Sequence, residues 1–476
     1  MLPTRSPASS SPPMPVTLDA KGCLPSTPKA SFVPPLLSTA AASAPKSPFQ
    51  RHGSEKHVLF CITNAPMALP PPTPIVEKKR LPPLKMYKAA RRASGPPPPV
   101  ITAPGPFLFL KKVQSGSYGD VVAARELDNE WLQGAPGRVV CMKVFTKATA
   151  LLRGLIPGVV QEVIAYRNMA RANLRISSTS EGAAFVMDLE ASLQDENRVF
   201  FVMELMDCDL LAVFNGYRFS LKHNAQRWIC QTALGLAHVH ACGIIHRDIK
   251  PENLLIDVEG NIRISDFGSA YTRDDCAPVE ASQVYTHEVT GTWAYMAPEM
   301  LANRRKAKFQ TQKYGPAVDY WSLGCVAFEL VAQEPNALFE SEEELRKYQT
   351  WHQTVHSTSY LSFAGLSEDA ESVVSGLLHL DPLKRFTLPD LREHQYFQIN
   401  DGLSEFACTI PRNCQRRHQS REFDSFPLPS ADAEPSLIDG HPNVFSLSLD
   451  PPEMDKDDTF EHFGWINPQG IWGKQK

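Results

Sequence analysis

The stretch HRDIKPENLLID, His246–Asp257, decides how this 476-residue chain is read. It follows an apolar run ending in Gly243-Ile244-Ile245 and itself ends in a second apolar patch, LLI. Eight residues, His246 to Asn253, hold an aspartate, two permanent cations and an amide between segments that must be buried. Local chemistry this dense, pinned on both sides by core residues, points to a working loop rather than a solvated turn. A second such loop, SDFGS around Asp266-Phe267-Gly268, follows closely.

The totals narrow the class. The net charge is −4, which gives no global pull toward nucleic acid or an anionic membrane. The ten cysteines are scattered without a CxxC pair, so neither a zinc site nor a disulfide framework is signalled, and reduced thiols in the cytosol or nucleus are expected. No apolar run reaches the length of a membrane span. Forty-one prolines cluster toward the N-terminal end, where residues 1–105 read as a disordered Pro/Ser/Ala-rich tail.

From Phe107 the texture changes. FLFLKKV, GDVVAAREL and GRVVCMKVF are partly alternating, β-branched segments that predict an antiparallel sheet, and NRVFFVMEL predicts another strand. LIPGVVQEVIAYRNMARANL has apolar residues at helical spacing. Beyond Asp209 the pattern is helical in NAQRWICQTALGLAHVHACG, AVDYWSLGCVAFELVAQ and SEDAESVVSGLLHL. The expected class is α+β, with a small sheet lobe and hinge over 107–206, a large helical lobe over 207–397, and a mostly disordered tail over 398–476.

Further motifs flank the two loops in a fixed order: QSGSYGDV before them, then VVCMKVF and VVQEVIAYR, and after them GTWAYMAPE, VDYWSLG and DPLKRFT. In this order residues 107 to about 397 resemble a eukaryotic protein kinase catalytic domain, of the serine/threonine type and with a bilobal fold. The resemblance implies ATP and Mg²⁺ as cofactors and protein substrates bearing Ser or Thr. Phosphoryl transfer is mostly positioning and charge neutralisation, so such a site needs a phosphate cradle, a cation, metal ligands and an acceptor for the hydroxyl proton.

The resemblance assigns each part. Val113, Gln114, Ser115, Gly116, Ser117, Tyr118, Gly119, Asp120 and Val121 would form the cradle; Gln114 stands where kinases usually have a glycine. Lys143 would grip the α- and β-phosphates, with Glu162 as its partner. Cys141 and Val121 would roof the adenine, Leu255 would floor it, Met203 would be the gatekeeper, and Glu204–Met206 the hinge, followed by Asp209. Tyr166 would pack toward the other lobe. Asp248 would accept and orient the substrate hydroxyl, Lys250 would neutralise the transferring phosphate, and Asn253 and Asp266 would hold Mg²⁺. Thr292 would bond Asp248 and Lys250. Glu299 would pair with Arg385, and Asp319 would brace the catalytic loop.

Control and specificity are read from the same likeness. Arg247 would await a phosphate on the activation loop, 266–299. YTHEVTGTW resembles the loop of cyclin-dependent kinases and makes Thr286 the favoured phosphosite, supplied by an upstream activating kinase. One extra residue before the APE motif offers the alternative that Glu288 stands in the phosphate's place. The arginine before APE that serves proline-directed choice is absent, Met296 standing there, while Asp209 and Glu252 put acids along the groove, so a mild preference for arginine upstream of the phosphoacceptor is expected. EFDSFP (422–427) and FEHFGW (460–465) are similar to the tail tether and hydrophobic motif of AGC-group kinases. The first is one residue short and the second has Gly464 where a phosphorylatable residue often sits, so the adopted reading is a disordered tail with a partner-binding aromatic segment. In the N-terminal tail Ser6, Ser11, Thr27, Ser47 and Thr73 precede proline, RRAS presents Ser94, and KKRLPPL is a candidate docking or import segment, set against the default of a basic solvated linker. The rival readings are a pseudokinase scaffold and a small-molecule or lipid kinase; the complete motif set speaks against the first and the peptide groove of GTWAYMAPE against the second.

Overall fold

A computed structural model describes residues 107–409 except 116–118, 128–136, 176–180, 217–218, 334–335, 355–359, 361–362, 364 and 400–401. Beyond them it describes 437–438, 441–442, 444–445, 460 and 463–469. The N-terminal tail with its Ser/Thr-Pro sites, Ser94 and KKRLPPL, the cradle residues Gly116, Ser117 and Tyr118, and EFDSFP lie outside the described residues.

Five strands form the small lobe's sheet: β1 Phe107–Ser115, β2 Asp120–Glu126, β3 Val139–Thr146, β4 Leu189–Gln194 and β5 Arg198–Met203, in the order β1-β2-β3-β5-β4 and antiparallel throughout. Side chains alternate across a strand, and this decides where the chemistry goes. In β3, Val140, Met142 and Val144 enter one apolar cluster with Phe107, Phe109, Phe200 and Val202. Cys141 and Lys143 are thereby turned to the other face. There α1, Lys147–Leu152, and α2, Ile156–Asn173, cover the sheet, and Val159, Val163 and Tyr166 of α2 share a core with Phe145 and Phe201.

After β5 the chain passes through β6, Cys208–Asp209, and α3, Leu210–Phe214, into α4, Leu221–Ala241. Trp228, Ile229, Leu236 and Val239 of α4 are wholly buried. Short strands frame the loops that follow: β7 Ile244–Ile245, β8 Leu254–Ile256, β9 Ile262–Ile264 and β10 Tyr271–Thr272. Helices α5, Pro298–Leu301, α6, Ala317–Ala332, α7, Glu342–Thr354, α8, Glu368–Leu377, and α9, Leu388–Glu393, continue the large lobe. The lobe continues past 397, because the Phe406 ring packs on Phe397 at 5.2 Å and is buried. The bilobal α+β class expected from sequence is the class observed. Among the described residues no helix is long and apolar enough to cross a membrane.

The sequence reading left 398–476 mostly without structure; among the described residues there, two short pairs join the small lobe's sheet. Val444–Phe445 pairs with β1, and Trp465–Ile466 pairs with β4, so the tail adds a strand at each edge of the sheet. Phe460 and Phe463 are buried in the core that α2 shares with the sheet. Gln194 Nε2 donates to the Phe460 carbonyl, Arg167 Nη2 donates to the carbonyls of Phe463 and Gly464, and Lys147 Nζ lies 5.1 Å from the Phe460 ring centre. Burial gives the aromatic segment its place: two phenyl rings leave water while their backbone carbonyls find donors. Phe463→Ala is expected to cost about 3–5 kcal/mol of stability, read by urea unfolding, as for other buried phenylalanines. A loss under about 1 kcal/mol would mean that the segment hangs free in solution.

Candidate active site

The His246–Asn253 loop is held from below by backbone bonds that the sequence spacing makes possible. Ile245, Ile249 and Leu254 are wholly buried, which leaves Asp248, Lys250 and Glu252 between them at the cleft. Asp319, at the first turn of α6 and fully buried, accepts from the backbone N–H of His246 at 2.9 Å and of Arg247 at 2.7 Å. His240 Nε2 donates to the same carboxylate at 2.8 Å. Burial would raise the Asp319 pKa, but His240, the nearby His246 and the Arg247 amide hold it below its usual value. His246 Nε2 donates to the Ser265 carbonyl at 2.9 Å while its Nδ1 accepts from the Asp248 N–H at 3.2 Å, which fixes the imidazole tautomer. The two loops are therefore tied to one another, and the rings of Tyr166, Phe267 and His246 stack edge-on at 5.1 and 4.9 Å, linking α2 to both.

Asp248 is surrounded by donors. Thr292 N–H donates to Oδ1 at 2.8 Å, and Lys250 Nζ and Asn253 Nδ2 donate to Oδ2 at 2.9 and 3.1 Å. Lys250 Nζ also donates to Thr292 Oγ1 at 2.7 Å. Burial alone would lower the lysine's pKa, but Asp248 outweighs it and the pKa is raised, so the ammonium persists. The neighbouring turn requires glycine: Gly291 has φ +97°, and a Cβ there would lie 2.3 Å from the Arg247 carbonyl oxygen.

Lys143 gathers the other carboxylates. Its Nζ donates to Glu162 Oε1 and Oε2 at 3.0 and 2.8 Å and to Asp266 Oδ1 at 3.2 Å. Burial pulls the Lys143 pKa down, yet the two carboxylates win and raise it. Burial likewise tends to raise Asp266, but Lys143 with Lys250 carries it down to about 2. Gly119 closes this end of the sheet: its φ is +157°, and a Cβ would sit 1.9 Å from the Val144 carbonyl oxygen. Only a bare backbone fits there, at the root of the loop.

The remaining cleft residues lie where alternation puts them. Cys141 pairs across the sheet with Ala123 and Met203, and Val121 with Lys143. Burial pushes the Cys141 thiol up to about 12, leaving a small neutral side chain. Leu255 pairs with Asp209. Met203 and Met206 are buried in the main core, and Glu204 lies 3.6 Å from Arg263. Gln114 and Ser115 of β1 pair with Val121 and Asp120, and Ser115 Oγ donates to Asp120 Oδ1 at 2.9 Å. Val113 packs against the cluster that contains Leu108 and Leu110. Asp209 differs from a free groove acid. It is buried, caps α3 by accepting from Ala212 N–H at 2.7 Å, and burial, with Glu252 adding to it, raises its pKa to about 7.

A metal ligand set can be judged from the donors present. Asn253 spends its Nδ2 on Asp248, which leaves the carbonyl oxygen, and Asp266 spends Oδ1 on Lys143, which leaves Oδ2. One amide oxygen and one ionised carboxylate oxygen suit a hard cation that keeps most of its ligands from water and phosphate. Among the described residues no cluster of three or more His, Cys, Asp or Glu offers a protein-only metal cage.

The protein kinase domain family model matches residues 107–397 of this chain. The chain belongs to the protein kinase family. It is of the eukaryotic serine/threonine class. It is 29% identical over 328 residues to cyclin-dependent kinase B2-1 of Arabidopsis thaliana, covering 62% of this chain and 95% of that one. It is 27% identical over 296 residues to serine/threonine-protein kinase PKH3 of Eremothecium gossypii, covering 62% of this chain and 37% of that one. It is 29% identical over 313 residues to human serine/threonine-protein kinase MRCK gamma, covering 64% of this chain and 18% of that one.

Two groups in this kinase's site escaped the sequence reading. Glu329, buried in the apolar run AFELVAQ of α6, accepts from the Tyr295 hydroxyl at 2.8 Å. Asn303 holds the loop from below by donating to the carbonyls of His287 and Gln312. Neither stands in a motif, so only the folded contacts reveal them.

Proposed function

We propose that this chain transfers the γ-phosphoryl group of Mg-ATP to Ser or Thr hydroxyls of protein substrates. Asp248 accepts and orients the hydroxyl, Lys250 neutralises the transferring phosphate, Lys143 grips the α- and β-phosphates, and Asn253 with Asp266 binds Mg²⁺. The bound Mg²⁺ supplies charge neutralisation on the phosphate oxygens. The observation that carries the reading is the convergence of ionised Asp266 on the Lys143–Glu162 pair beside an Asp248 held by three donors. A pseudokinase scaffold is disfavoured because none of these groups is missing.

For substrate choice we propose arginine upstream of the phosphoacceptor. The support is Glu252, part-exposed at the cleft between the buried Pro251 and Asn253, while Asp209 is buried and spent on the α3 cap. The test is incorporation from γ-labelled ATP into an arrayed peptide library by wild type and Asp266→Ala. Wild-type labelling dominated by upstream arginine, absent in the variant, is expected. Equal labelling by both proteins would overturn the kinase reading, and dominance of proline at the following position would overturn the arginine preference.

A further inference from the structure

The segment from Asp266 to Glu299 is ordered by groups built into the chain. Tyr314 N–H donates to the Thr286 carbonyl and Tyr285 N–H to the Tyr314 carbonyl, both at 2.8 Å. The Tyr314 hydroxyl donates to the Glu288 carbonyl. Arg247 spends Nε on the Ser269 carbonyl at 2.7 Å and Nη2 on the Ala270 carbonyl at 3.1 Å. Its Nη1 is divided between Glu288 Oε2 at 3.2 Å and the Tyr314 hydroxyl at 3.3 Å. At its other end Arg247 sits at φ 69°, in the sparsely allowed left-handed region, with its N–H on Asp319. The twist of this one residue sets the direction in which Asp248 leaves the loop.

The charges around this point are nearly balanced. Among the described residues the ion-pair partner of Glu288 is Arg247. The next cation along the segment, Arg273, gives Nε and Nη2 to Asp275 at 2.8 and 2.7 Å and lies over the Tyr285 ring. Helix α2 reaches the segment through Gln161 Nε2 to Thr272 Oγ1 and Asn168 Nδ2 to the Arg273 carbonyl, and just past its end the cationic Arg175 Nη1 donates to the Asp275 carbonyl at 3.2 Å. Thr286 is buried, with its hydroxyl accepting from Glu288 N–H at 3.4 Å. A phosphate there would bring about two negative charges next to Glu288, against one guanidinium with four of its five N–H donors engaged.

We propose that Glu288 is a positioning residue for phosphoryl transfer: its carboxylate holds Arg247 and the activation segment in the working arrangement without phosphorylation. The proposal deepens the kinase reading and rests on it. Because the Glu288 side chain is 67% exposed, its contribution is that of a single solvent-screened, charge-assisted contact.

The experiment uses the full chain co-expressed with a phosphatase, with zero bound phosphate verified by intact mass. Progress curves of peptide phosphorylation are expected to be linear from the first turnover. Glu288→Gln is expected to lower kcat about two- to fivefold with KM for ATP unchanged, and Glu288→Asp to restore part of the loss. Equal urea midpoints for the two variants separate positioning from folding. A lag that ends as phosphate appears on Thr286, or a Glu288→Gln enzyme as fast as wild type, overturns the proposal. Wild type inactive in every phosphorylation state contradicts the kinase reading itself, and this inference with it.

Discussion

Asp248→Asn is expected to lower kcat by about a hundred- to ten-thousandfold, the range spanned by a general base, while Mg-ATP still binds. The two carboxylate oxygens are held separately, Oδ1 by the Thr292 amide and Oδ2 by Lys250 and Asn253. An asparagine retains the shape but presents an N–H₂ where Lys250 or Thr292 also donates. The position keeps its packing and loses its acceptor. Lys250 then loses the counter-charge that keeps its pKa raised against burial. A single-turnover assay at saturating ATP separates the loss of chemistry from the loss of binding. A kcat within about threefold of wild type would remove Asp248 from the proposed mechanism.

The second large effect is structural. Glu299→Ala is expected to destabilise the large lobe by about 3–5 kcal/mol, because it strands a buried guanidinium. Arg385 has no exposed side-chain surface, meets Glu299 at 2.6 and 3.1 Å, donates to the carbonyls of Ala317 and His379, and lies over Trp321. Removing both partners in Glu299→Ala/Arg385→Leu is expected to recover part of the loss, since the orphaned charge is gone. Urea unfolding followed by tryptophan fluorescence reads both variants. A single variant losing under about 1 kcal/mol would show that the pair contributes little.

Much of this architecture could be read from the sequence, for reasons visible in particular residues. The alternation of VVCMKVF forces Lys143 and Cys141 to one face while Val140, Met142 and Val144 enter the core. The chemistry of HRDIKPEN is local, so its spacing already places Asp248, Lys250 and Asn253 within reach of one another. The residues that the sequence hid depend on distant partners. Strand β4, LEASLQ, looks polar, yet all six residues are buried. Its Gln194 donates to the Phe460 carbonyl and its Ser192 lies opposite Trp465, so the tail supplies the cover that the local sequence does not announce. The aromatic tail segment could not be assigned a docking face because no nearby periodicity names one. The choice between Thr286 and Glu288 turned on one residue of spacing; in the unmodified chain Glu288 Oε2 lies 3.2 Å from Arg247 Nη1, a contact that no local pattern announces.

In the proposed mechanism Asp266 and Asn253 bind the metal-nucleotide while Asp248 serves the substrate alcohol. Calorimetric titration of Mg-ATP into wild type, Asp266→Ala and Asp248→Asn tests it most directly. The account predicts binding to wild type and Asp248→Asn with similar affinity, and loss of the Mg²⁺-dependent part in Asp266→Ala. Unaltered Mg²⁺-dependent binding to Asp266→Ala would contradict it.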